Sequence, residues 1–86
     1  MNADQIRARK VGLFAKATTA TLVVSALTLD AKANLSAEER MVRAWVSDEI
    51  ERRMGGVKDD AAFDALLDDG LTYVECLLVT FPELVA

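Results

Sequence analysis

The sequence predicts an all-α protein: a three-helix bundle, or a helical hairpin with an extra N-terminal helix, that is oligomeric. Three observations predict it. Helix-start residues precede three stretches of the chain, and apolar side chains recur at spacings of three and four within them. Only one stretch has strand-like composition, and nothing else in the chain offers it a second strand. The 86 residues are read as one domain, 1–86.

The first helix is expected over residues 2–29, opened by Asn2 or Asp4 as N-cap. It carries two apolar stripes. Ile6, Leu13, Ala17, Ala20, Val24 and Leu27 form one. Val11, Ala15, Leu22, Ala26 and Leu29 form another, roughly opposite at ~100° per residue. One stripe faces the other helices, and the second has nothing left in so short a chain to cover it. The surplus stripe is assigned to Val11, Ala15, Leu22, Ala26 and Leu29 and read as an oligomer interface, with Leu22 and Ala26 at its centre. Thr18, Thr19, Thr21, Val23, Val24 and Thr28 are β-branched, which is the argument for a strand here.

The second helix is expected over 36–54. Ser36-Ala37-Glu38-Glu39 is a capping box, and Gly55-Gly56 supplies the C-terminal break. Met41, Val42, Trp45, Val46, Ile50 and Met54 make its stripe. Glu49 falls inside that apolar arc. A carboxylate in an apolar setting can have a raised pKa and serve as an acid or base. Arg53 stands four residues on, in the favourable order for a helical ion pair, so Glu49–Arg53 is read as a structural pair. Asp48 with Arg52 repeats the spacing.

The third helix is expected over 60–80, opened by Asp59 or Asp60 and ended before Pro82. Phe63, Leu66, Leu67, Leu71, Val74, Leu77, Leu78 and Phe81 keep the 3-and-4 spacing throughout. Gly70 falls within this face at a cost of about 1 kcal/mol against alanine, which suggests close approach of another helix. Asp64, Asp68 and Glu75 share a narrow sector beside it. This acidic ridge is read as a docking strip for a basic protein partner. Its plain alternative is a solvated face with acids near the positive end of the helix dipole.

Composition bounds the chemistry. There is no histidine, which removes the commonest general base and metal ligand. Ser25, Ser36 and Ser47 lack any nucleophile context. Cys76 is the single cysteine, so it has no partner for an internal disulfide and reads as a small buried hydrophobe. No glycine loop cradles phosphate, and no EF-hand spacing appears. The expectation is therefore no enzyme activity, no cofactor and no metal. The net charge of −4 is unevenly spread: residues 1–54 carry +2 and residues 55–86 carry −6. That balance argues against direct nucleic-acid binding.

Arg7, Arg9 and Lys10, followed by uncharged residues 17–29 and Ala31-Lys32-Ala33, have the outline of a signal peptide. Lys16, the interspersed threonines and Asp30 argue against it. A membrane span is not expected, since thirteen helical residues reach about 20 Å against a ~30 Å hydrocarbon core.

Two runs carry a resemblance. Residues 40–53, RMVRAWVSDEIERR, and residues 60–69, DAAFDALLDD, with LTYVE at 71–75, resemble segments of small uncharacterised helical proteins of actinobacteria and actinobacteriophages. The resemblance implies a phage or bacterial protein of the cytoplasm and brings no active-site residues with it. The functional expectation is a non-enzymatic, self-associating interaction module acting on a host factor. The alternative is an acidic regulator, or nucleic-acid mimic, that blocks the basic groove of a nucleic-acid-binding protein.

Overall fold

Five capped α-helices, rather than three, make up the computed structural model, which describes residues 2–85 except the side chain of Leu13. They are α1 (Ala3–Phe14), α2 (Thr19–Asp30), α3 (Ala37–Arg53), α4 (Asp60–Asp68) and α5 (Tyr73–Thr80), followed by a 3-10 turn (Pro82–Val85). No strand occurs among the described residues, so the β-branched run at 18–28 is helical. No described helix is long and apolar enough to cross a membrane.

Local side chains explain the starts. Asn2, Thr18, Ser36, Asp59 and Thr72 each accept a backbone N–H three residues on. The boxes at Asn2–Gln5, Ser36–Glu39 and Thr72–Glu75 are reciprocal, each third-position side chain accepting from the cap's own N–H.

The two corrected helices break for different reasons. The expected 60–80 helix ends at Asp68, because Gly70 takes φ +92°. Gly70 N–H then donates to Leu67 O and Leu71 N–H to Leu66 O, the paired bonds of a Schellman stop. A Cβ built on Gly70 would meet nothing within 4 Å, so the glycine serves backbone conformation and not helix approach. The expected 2–29 helix breaks at residues 15–18 with no glycine or proline there. Arg53, from the end of α3, takes the freed carbonyls. Its Nη1 donates to Ala17 O at 2.9 Å and to Thr19 Oγ1 at 3.3 Å, and its Nη2 donates to Phe14 O at 3.5 Å. Unpaired carbonyls at a helix end are costly when shielded from water, so this remote donor stabilises the joint.

The core joins four helices. Leu22, Val23 and Ala26 of α2 pack with Val46 and Ile50 of α3, Phe63 of α4, and Val74, Cys76 and Leu77 of α5. The α2–α3 pair is the most extensive contact, and α5 and the 3-10 turn also lie on α2. Cys76 is wholly buried, and burial pushes its thiol pKa up. By contrast α1 packs little on the rest. Phe14 anchors its end on the core, and Arg9 pairs with Glu38.

Candidate functional site

The break at 15–18 reverses the assignment of the two stripes. Leu22 and Ala26, expected at the centre of an oligomer interface, are 2% and 0% exposed within the chain itself. Leu29 is half-buried, while Val11 and Ala15 are exposed at the end of α1. The expected wheel ran unbroken through residues 15–18, and a bent chain gives α2 a rotation of its own. Within α2, the stripe read as core-facing is the one left outside, although Ala17, just before the helix, packs on the core. Ala20, Thr21, Val24, Leu27, Thr28 and Ala31 are all exposed, with Val24 at 63%, and none is charged. Leu13 belonged to that stripe, but its side chain lies outside the described residues.

This outer face of α2 is less polar than its threonines suggest. Thr28 Oγ1 donates to Val24 O at 2.8 Å, and Thr21 Oγ1 lies 2.9 Å from Thr18 Oγ1. Both hydroxyls have partners within the helix, so methyl groups contribute to the surface. Ala20, Val24, Leu27 and Ala31 follow a 4-3-4 spacing, the seam along which one helix packs lengthwise on another.

Beside α2, at the end of α3, lies a carboxylate–guanidinium cluster. Glu49 Oε2 accepts from Arg53 Nε at 2.8 Å and from Arg52 Nη2 at 2.7 Å, and its Oε1 accepts from Arg52 Nε at 2.8 Å. Arg52 therefore turns to Glu49 and not to Asp48. The bonds from Arg52, then those from Arg53, outweigh desolvation and hold the Glu49 carboxyl at about 2. The pKa moves opposite to the direction acid–base work needs, and Arg53 is committed at once to Glu49 and to the α1–α2 joint. Nothing in the α3 sequence announces the second role, because its acceptors, two carbonyls and the Thr19 hydroxyl, lie 34 to 39 residues away.

The acidic ridge is divided by the break at Gly70. Asp64 and Asp68 are exposed on α4, whereas Glu75 is exposed on α5 with Oε1 accepting Thr72 N–H at 2.9 Å. The T-x-x-E of that box was present in the sequence and marked a helix start that the apolar spacing overrode. Asp59, Asp60, Asp64, Asp68 and Asp69 have no ion-pair partner among the described residues.

Two concavities flank α2. A cleft of about 450 Å³ is lined by Asp30, Arg40, Arg43, Ala44, Ser47, Asp48 and the first residues of α5. Its polar groups largely answer each other. Arg43 Nη1 lies 3.6 Å from Asp30 Oδ1, Thr72 Oγ1 donates to Asp30 Oδ2 at 2.5 Å, and Ser47 Oγ donates to Arg43 O at 2.9 Å. Tyr73 OH donates to Glu51 at 2.7 Å, and burial followed by this bond raises its pKa. A shallower hollow of about 260 Å³ is lined by Leu27, Asp30, Ala31, Thr72 and Glu75, at the C-terminal end of the uncharged face. Among the described residues no three His, Cys, Asp or Glu side chains converge to hold a metal.

No protein-family model, no curated protein and no solved structure matches this chain.

Proposed function

We propose that the protein is a non-enzymatic helical interaction module that self-associates, and that its contact surface is the outer face of α2. The single observation that carries the reading is that face: six exposed positions without a charge, two of them Val24 and Leu27, in a chain with 28% charged residues. Solvent faces of helices are ordinarily studded with charge, and an uncharged seam at 4-3-4 spacing is what a covered helix presents. A small domain also removes a limited share of its surface from water by itself, so a second copy supplies stability that its own core does not. The resemblance of residues 40–53 and 60–75 supports a bacterial or phage setting, with a host factor as the further partner.

Light scattering at tens of micromolar tests the proposal. Wild type should scatter as a dimer or higher oligomer, and Val24→Glu should be monomeric with unchanged helix content. A wild-type monomer at that concentration contradicts self-association.

A second reading rests on a separate observation, the five unpaired aspartates of residues 59–69. They form a surface for a basic protein groove, as an acidic regulator requires. Asp64→Asn with Asp68→Asn should then abolish salt-sensitive capture of a basic partner and leave the oligomeric state untouched.

A further inference from the structure

Building on the self-association reading, we infer that two copies meet through α2 in antiparallel, two-fold order, with Lys16 of each copy entering the hollow beside Glu75 of the other. Three observations bear on that arrangement: the seam accommodates it, and charge and shape favour it over a parallel one.

The first is the seam itself. A 4-3-4 spacing reads the same in both directions, so an antiparallel copy sets Ala20 against the second copy's Ala31 and Val24 against its Leu27. Small residues then meet at both ends and the larger side chains interleave in the middle. A two-fold interface requires such self-complementarity, in which residue i meets j and j meets i.

The second is charge. Lys16 is exposed just before the start of α2 and has no ion-pair partner among the described residues. Asp30 and Glu75 line the hollow at the other end of α2. Asp30 is already met by Arg43 and Thr72, so antiparallel order brings the ammonium of each copy to the Glu75 carboxylate of the other, at both ends. Parallel order sets Lys16 against Lys16 and Glu75 against Glu75, which is repulsive. The antiparallel pair also opposes the two helix dipoles.

The third is shape. The hollow lies against Leu27 and Ala31, at the end of the seam where the second copy's Ala20 and Lys16 arrive. A long aliphatic stem carrying a terminal charge suits a depression with apolar walls on α2 and carboxylates at its edge.

Cysteine cross-linking of the full chain decides the geometry. Ala20 and Ala31 are exposed, so Ala20→Cys and Ala31→Cys leave the core alone, and wholly buried Cys76 stays out of the reaction. In the antiparallel dimer two copies of residue 20 are about 16 Å apart along the axis. That is beyond the roughly 7 Å limit between Cα atoms for a disulfide. Neither single variant should form a disulfide dimer, while an equimolar mixture should form the Ala20→Cys/Ala31→Cys heterodimer. Disulfide dimers in each variant alone mean parallel order and overturn this inference, while self-association itself stands. Failure of wild type to dimerise overturns both. The charge contact has its own check in sedimentation. Glu75→Gln preserves the Thr72 box, since glutamine serves at that position. Glu75→Gln and Lys16→Glu should each weaken dimerisation roughly fivefold at low salt, with less effect at high salt. No change in either variant overturns the Lys16–Glu75 contact.

Discussion

The chain breaks twice where sequence periodicity continues, and the two breaks are built in opposite ways. Between α4 and α5 the cause is local. Gly70 occupies a left-handed conformation, the paired bonds to Leu66 and Leu67 close α4, and Thr72 and Glu75 start α5. Between α1 and α2 residues 15–18 contain no glycine or proline; Thr18 caps the start of α2, but the carbonyls at the end of α1 depend on Arg53 from another helix. A local break is written within a few residues. A tertiary break becomes visible only when the remote donor is in place.

That difference explains what the sequence disclosed. The all-helical class, the ends of α3 and its Schellman stop at Gly55-Gly56 follow from side chains within one turn of the events they control. The start at Thr72 was equally local, but the run from Phe63 to Phe81 keeps helical spacing across Gly70, and periodicity prevailed over punctuation. The stripes of residues 2–29 failed differently. Within α2 the side facing the core is the reverse of the expected one, because a helix apolar on two sides contains no local information about which side is covered. Ala17, by contrast, packs on the core, and Val11 and Ala15 are exposed, as their stripes required. Leu22 and Ala26 went inside, while Val24 and Leu27 stayed out.

The comparison can be broken by removing each cause. The largest effect should come from Arg53→Ala, which removes the side-chain donor from the Ala17 carbonyl, leaves the Phe14 carbonyl only the Ala17 N–H, and removes one partner of Glu49. A loss of about 2–3 kcal/mol in urea unfolding is expected. A loss under ~0.5 kcal/mol would mean that the joint is held by packing alone. Gly70→Ala should cost about 1–2 kcal/mol, the penalty for an L-residue at positive φ. Because a Cβ there meets no neighbour, stability unchanged by this substitution would show that α4 and α5 can fuse into one helix.

Acid should act on the tertiary break through Glu49. Glu49 has a folded pKa of about 2 against an ordinary 4.5. Its folded value is depressed, so its contribution is complete above about 4.5 and is lost as pH falls toward about 2. Melting temperatures between pH 6 and pH 2.5 should fall less for Glu49→Gln than for wild type. Parallel falls would remove Glu49 from the acid response. The smallest effect belongs to α4. Asp64→Asn with Asp68→Asn should change stability by no more than about 0.5 kcal/mol, as expected for exposed unpaired side chains.

The central claim is that the bend places the uncharged side of α2 outward as a surface for a second copy. A dilution series followed by backbone amide NMR tests it most directly, residue by residue. Concentration-dependent shifts should concentrate on Ala20, Thr21, Val24, Leu27, Thr28 and Ala31, with Lys16 and Glu75 at the edges, and should be absent from the same series on Val24→Glu. Spectra independent of concentration, or shifts gathered on α4 and the exposed side of α1, would contradict the account.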